Sequence, residues 1–118
     1  MQIQVNTDHN VKGGDLLIQY VKGLLNDSLN SFMDDVTRVE VHISDENGDK
    51  GGDDDLRCTM EARIRGMQPI AVTHHDENVD LAISGAAERI TRSVRKTLEK
   101  RREVKLTQQS HKTEEELG

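Results

Sequence analysis

The fold is decided by residues 70–96, which read IAVTHHDENVDLAISGAAERITRSVRK. A strand predicted over residues 68–73 carries Pro69, which cannot donate a ladder hydrogen bond and so indicates a sheet edge or a strand start. Residues 75–78 supply capping and acidic groups suited to a helix N-terminus. Apolar residues then recur at spacings of three and four, which predicts a long helix with one buried stripe: Val79, Ala82, Ile83, Ala86, Ala87, Ile90, Val94 and Leu98.

The N-terminal part of the chain predicts a strand and another amphipathic helix. Residues 2–6 alternate polar and apolar side chains, the pattern of a half-buried strand. Residues 13–15, Gly-Gly-Asp, then supply a break and a helix start. The apolar residues that follow predict a helical stripe that packs against a sheet and contains Leu16, Leu17, Tyr20, Val21, Leu24 and Leu25.

The middle of the chain predicts a β-hairpin. Residues 37–44 and 56–65 each alternate apolar and polar side chains, as strands with one buried face do. Between them, residues 45–55 combine glycines with six Asp and Glu, which predicts an exposed acidic loop. The fold is therefore predicted to be α+β, in the order β-α-β-β-β-α, with two helices packed on one face of a four-stranded sheet.

The charge of the chain is unevenly distributed. The formal net charge is −6, yet residues 89–105 contain eight basic and two acidic side chains, a local charge of +6. Successive residues turn by roughly 100° around a helix, so the basic residues should lie opposite the buried stripe. The predicted outward ridge consists of Arg89, Arg92, Arg95, Lys96 and Lys100.

Several cations on one helix face are what phosphate binding requires, so the ridge indicates a nucleic-acid interface. From composition alone, a merely solvated charged face explains the same run equally well. Aromatic residues make up only 2% of the chain, which disfavours base stacking on single strands. Recognition of structured RNA through phosphates and 2′-hydroxyls fits this composition better.

The sequence predicts a protein that is not an enzyme. It contains no glycine-rich phosphate loop, nucleophile elbow or zinc-ligand spacing, so we expect no catalytic residue, metal, cofactor or small-molecule substrate. The adjacent His74 and His75 are expected to cap a turn, and Cys58 is expected to be a small buried side chain. No apolar run is long enough to cross a bilayer, and the N-terminus lacks the order of a secretory signal. We therefore expect a cytoplasmic protein with no membrane partner.

The apolar periodicity fades after Arg102. The residues that follow are polar and contain no stripe that could be buried against a core. We therefore predict one domain over residues 1–102 and a disordered polar tail over residues 103–118.

Over residues 1–102 the chain resembles the ribosome hibernation-promoting factor and ribosome-associated inhibitor A family. The resemblance is carried by the opening MQIQV strand, the hairpin over residues 39–64 and the segment 70–96 quoted above. It implies a bacterial stress or stationary-phase protein, of the short form, that occupies the messenger and transfer RNA sites of the small ribosomal subunit. It also implies that the side chains facing ribosomal RNA are those of Arg89, Arg92, Arg95, Lys96, Lys100 and, on the first helix, Lys22.

Two departures from that family leave an alternative open. The first helix carries a single basic residue, Lys22, and the loop 45–55 is longer and more acidic than in relatives. Ribosomal proteins are therefore further candidate contacts beside ribosomal RNA. The alternative function is a regulatory module of the same fold that grips a basic protein through its acidic surface and binds no RNA.

Overall fold

The computed structural model describes residues 1–46 and 56–117, and side chains as far as Val104. Its elements follow the predicted order β-α-β-β-β-α. The acidic loop predicted over residues 45–55 lies, beyond Glu46, outside the described residues. The bounds are β1 Gln2–Thr7, α1 Asp15–Ser28, a 3₁₀ turn Asn30–Phe32, β2 Val36–Asp45, β3 Leu56–Ile64, β4 Ile70–Asp76 and α2 Val79–Leu117.

The four strands form one mixed sheet in the order β1-β2-β3-β4. β1 runs parallel to β2, while the β2–β3 and β3–β4 pairs are antiparallel. The register aligns apolar side chains in rows across the sheet, one of which joins Val5, Val41, Met60 and Val72. Side chains alternate across a strand, so the rows create one continuous apolar face.

Both helices cover this apolar face, and the predicted α+β architecture is confirmed. Val21 and Leu25 of α1 and Ile83 and Ile90 of α2 are fully buried. The expected burial of Cys58 is also found, and burial raises the pKa of its thiol to about 12. A thiol with that pKa stays protonated at neutral pH and is not a nucleophile.

The predicted stripe of α1 is wrong at two positions. Leu16 is 86% exposed and Tyr20 is 43% exposed, whereas Leu17 and Leu24 pack against the core. A helix that rests on a sheet buries only part of its circumference. α1 turns the side of Val21 and Leu25 towards the sheet, which leaves Leu16 and Tyr20 on its outer surface.

The start of α2 is capped by Asn78, the last residue of the predicted capping segment 75–78, whereas His75 and Asp76 belong to β4. The side-chain oxygen of Asn78 accepts a hydrogen bond from the backbone N–H of Leu81 at 2.9 Å, which caps the helix.

Further along α2, Gly85 faces the ring of His74 on β4 so closely that a Cβ would overlap it. Because Gly85 has no side chain, the ring of His74 can lie directly against α2 at this position.

The end of α2 differs from the prediction. The helix continues to Leu117, whereas a disordered polar tail was predicted from residue 103 onward. Residues 99–117 contain no Gly or Pro and are rich in Glu, Lys, Gln and Leu, which are good helix formers. The intrinsic helix propensity of these residues thus accounts for a helix in a segment without an apolar stripe. The division into a ribosome-binding domain and a tail stays a prediction.

Candidate nucleic-acid interface

The helices α1 and α2 lie side by side and run in the same direction. Their first turns meet at one cavity, lined by Leu16 and Asp80, while Ser28 at the end of α1 lines another together with Arg95. The outer surface of this helix layer therefore has an N-terminal end and a C-terminal end. The basic run of α2 occupies the C-terminal end. Exposed side chains are found at all five predicted ridge positions, Arg89, Arg92, Arg95, Lys96 and Lys100.

A groove between α2 and the edge strand β4 collects part of the ridge. Arg89, Arg92 and Lys96 line it together with Ser93 and residues 71–73. One guanidinium nitrogen of Arg89 donates a hydrogen bond to the backbone carbonyl of Thr73 at 3.3 Å. β4 ends the sheet, so this carbonyl belongs to a strand edge that Arg89 partly covers.

A second groove lies on the other flank of α2, between the two helices. Arg92 and Arg95 line its middle part beside Leu24 and Ser28 of α1. Further along, Arg95 and Arg102 line it with side chains of the turn that follows α1. The five predicted ridge residues therefore form a band around α2 that extends from one groove to the other, and Arg92 lines both grooves. This α2 band consists of Arg89, Arg92, Arg95, Lys96 and Lys100.

The cations of this band differ in how far they are already neutralised. Arg92 forms an exposed ion pair with Glu88 at 2.8 Å, a contact that competing phosphate can replace at little cost. Among the described residues, Arg95, Lys96 and Lys100 have no ion pair. These three present their full charge to solvent.

Two further arginines show what the charge run alone could not decide. Arg101 donates to the carboxylate of Asp35 and to the backbone carbonyl of Arg65, each at 3.1 Å. It ties α2 to the end of the sheet and is not available as a free cation. Arg102, which was not among the predicted site residues, is exposed and lines the groove beside Arg95. Its place in the basic run was the one signal that could have found it.

Lys22 is not brought together with the cations of α2. It lines a separate groove at the β1 edge of the sheet, with Gln4, Asn26 and Arg38 among its neighbours. α1 lies between that groove and the band on α2. Any contact of Lys22 with RNA must therefore be a second point of attachment.

His74 and His75, which were expected to cap a turn, lie instead inside β4, where they pair with Cys58 and Arg57 of β3. The ring of each lies near a carboxylate. His74 lies 3.1 Å from Asp76, and His75 lies 3.5 Å from Glu46. A hydrogen bond from the backbone N–H of Glu77 and one from His74 lower the pKa of Asp76. Within residues 1–46 and 56–104, no group of three or more His, Cys, Asp and Glu side chains is arranged to hold a metal ion. Nor is any helix in the described part of the chain long and apolar enough to span a membrane.

Comparison with known proteins identifies the family. The protein-family model described as "Sigma 54 modulation protein / S30EA ribosomal protein" matches residues 3–102, and the chain belongs to this family. That assignment agrees with the resemblance found in the sequence. Among curated proteins, none matches this sequence.

Two solved structures share the fold. The N-terminal domain of Protein Y from Thermus thermophilus superposes with a TM-score of 0.67 at 21% identity, covering 82% of this chain and 99% of that one. A ribosomal subunit interface protein from Coxiella burnetii gives a TM-score of 0.61 at 11% identity, covering 82% and 97%. At such identities the likeness establishes the fold alone.

Proposed function

We propose that this protein is a ribosome-associated translation inhibitor, a hibernation factor that binds the small ribosomal subunit. α2 lies along ribosomal RNA and blocks the messenger and transfer RNA sites by occupancy, without catalysis. The observation that carries this proposal is the band of exposed cations on α2, beside two grooves open to solvent. Three of these cations, Arg95, Lys96 and Lys100, have no ion pair among the described residues. Family membership and the fold shared with a ribosomal subunit interface protein support it.

The spacing of the cations suits a nucleic-acid backbone. Arg89, Arg92, Lys96 and Lys100 are three or four residues apart, so they follow one another at steps of roughly 5 Å along the helix axis. Such a row can follow several phosphates of a folded RNA without reading bases. Of the two aromatic residues of the chain, Tyr20 lies on α1, and Phe32 is half-buried against the core near Arg95. No aromatic ring lines the groove of Arg89, Arg92 and Lys96, so base stacking has no platform there.

Occupancy requires only that the bound protein fill the space of messenger and transfer RNA. A cytoplasmic protein made under stress or in stationary phase could then silence ribosomes reversibly, because nothing in the subunit is modified. Lys22 would provide a second contact from the opposite side of α1. Because Lys22 is a single lysine in a separate groove, whereas Lys96 lies in a groove with other cations, we expect the loss of Lys22 to weaken binding less than the loss of Lys96.

The experiment that tests this function is co-sedimentation with purified small ribosomal subunits across a salt series. The wild type should pellet with log K falling against log salt at a slope of about −2 to −4, as expected for three to five neutralised phosphates. The double variant Arg92→Glu, Lys96→Glu should stay in solution. A matched variant, Arg57→Glu and Arg63→Glu, makes the same charge change on the open face of the sheet and should still pellet.

Two results would contradict the proposal in different ways. If the wild type stays in solution even at low salt, the chain shares the family's fold without its partner, and the protein-binding alternative takes its place. If both double variants lose binding equally, net charge alone drives association and α2 is not the interface.

A further inference from the structure

The N-terminal end of the helix layer exposes apolar side chains that the fold does not need. Among the described residues, five large apolar side chains are exposed, and three of them belong to the first two turns of α1 or α2. These are Leu16 and Tyr20 on α1 and Leu81, 44% exposed, on α2. Leu16 and Tyr20 line one cavity together with Asp80, and Leu81 is the next residue after Asp80. Single exposed apolar residues are ordinary, whereas exposed apolar residues grouped in this way indicate an interaction surface.

The charge at this end is opposite to that of the α2 band. Asp15 and Asp80 stand in the first turns of α1 and α2, where they also favour the helix dipoles. Both line the cavity that contains Leu16 and Tyr20, and Lys12 is the cation that lines it with them. The formal charge of these three side chains is −1, which favours a cationic protein segment over a phosphate backbone as the occupant.

We propose that Leu16, Tyr20, Leu81, Asp15 and Asp80 form a docking surface, the apolar–acidic patch, for a cationic protein segment of the small ribosomal subunit. This inference rests on the proposed function, because it names a second partner for the same bound protein. Apolar centres with tyrosine and a charged rim are typical of protein interfaces, and charge complementarity selects a basic partner.

The size of the patch also fits an auxiliary contact. A stable standalone interface buries about 800 Å² on each partner, more than three large side chains provide. The patch and the α2 band occupy opposite ends of one layer, so both can be engaged by a single surface composed of RNA and protein. Two linked weak contacts then strengthen each other, because the second forms at high effective concentration.

The experiment compares binding to intact small subunits with binding to protein-free small-subunit ribosomal RNA. Leu16→Ser with Leu81→Ser should bind intact subunits about tenfold more weakly, since apolar area is lost from the interface. The same variant should bind protein-free RNA as the wild type does. Met33→Ser, which changes another exposed large apolar residue, should match the wild type on both.

A second variant tests the sign of the electrostatic contact. Asp15→Asn with Asp80→Asn removes two negative charges, which strengthens binding if RNA faces the patch and weakens it if a basic protein does. We expect binding to intact subunits to weaken by about threefold. Asparagine is also accepted near helix N-termini, so both helices should persist, which circular dichroism can check.

The outcomes separate the patch from the proposed function. If the wild type binds and both patch variants bind equally well, the patch is not an interface, while the role of α2 stands. If the leucine variant loses binding to protein-free RNA, or the aspartate variant binds more tightly, the occupant is RNA and the proposal is wrong. A wild-type dimer in sedimentation equilibrium that the leucine variant abolishes would make the occupant a second copy. Failure of the wild type to bind subunits overturns both proposals.

Discussion

The N-terminal and C-terminal ends of the helix layer have the same buried architecture but differ in the charge and polarity of their outer surfaces. At both ends, α1 and α2 bury the same kind of aliphatic stripe against the same sheet. Outside, the N-terminal end exposes Leu16 and Tyr20 beside two aspartates, whereas the C-terminal end exposes arginine and lysine. A net charge of −6 conceals this division. Total charge therefore says little about which partner such a protein can bind, because each part of a partner meets only the local charge of the surface it contacts.

The largest effect should come from the core beneath the basic end. Ile90 is fully buried under the band, so Ile90→Ala removes methyl groups and leaves a cavity. We expect a loss of about 2–5 kcal/mol in the free energy of unfolding, measured with urea. Leu16→Ala at the other end should change it by less than about 0.5 kcal/mol. Equal losses would mean that Leu16 is structural and would remove the contrast between the ends.

The next effect concerns the contact between β4 and α2. Gly85→Ala adds a Cβ where the His74 ring lies, so the ring or the helix must shift. We expect a loss of about 1–3 kcal/mol in stability, although alanine favours helix. Gly23→Ala on α1, where a Cβ meets nothing within 4 Å, should stabilise by about 0.5–1 kcal/mol. Stabilisation by both substitutions would show that His74 moves freely and does not set the position of α2.

A smaller effect is expected where α2 leaves the sheet. Arg101→Gln breaks the ion pair with Asp35 and should cost about 1 kcal/mol, because both side chains are partly exposed. Hydrogen exchange should then quicken for the amides of residues 98–104. Arg102→Gln removes the same charge but leaves the ion pair between Arg101 and Asp35 in place, so it should leave the exchange rates of these amides unchanged. Identical exchange in the two variants would show that Arg101 does not hold the basic end in place.

The smallest expected effect is on the pH dependence of stability, through Asp76 at the end of β4. The pKa of Asp76 is lowered, first by the backbone N–H of Glu77 and then by His74, so its carboxylate stabilises the fold above its usual pKa. That contribution is lost as pH falls through the lowered value. The urea midpoint of the wild type should therefore fall more steeply below about pH 4 than that of Asp76→Asn. Parallel curves would mean that Asp76 is equally stabilised in the unfolded chain.

Periodicity predicted the elements well because it reports burial directly. Val39, Val41 and Ile43 alternate in the sequence and are all buried, and Asn78 was recognisable as part of a capping segment. The same logic failed for Leu16 and Tyr20, since a stripe does not reveal how much of it the sheet will cover. It also failed after Arg102, where the helix continues without an apolar stripe.

The candidate site was predictable as a set of charges but not as a shape. The run 89–105 identified the cations of α2, and their spacing gave their common exposure. It could not show that they divide between two grooves, that Lys22 lies apart from them, or that Arg101 is tied to Asp35. Each of these facts depends on a residue distant in sequence.

By itself, the sequence determined the order of elements, the composition of the core and the sign of the charge on α2. These follow from local periodicity and from side-chain chemistry, which neighbours in the chain express together. Only the tertiary structure decided that α1 and α2 run in parallel, which gathers Leu16, Tyr20 and Asp80 at one end and Arg92, Arg95 and Arg102 at the other. The physical reason is that a docking surface is assembled from elements whose mutual placement depends on packing against the shared sheet.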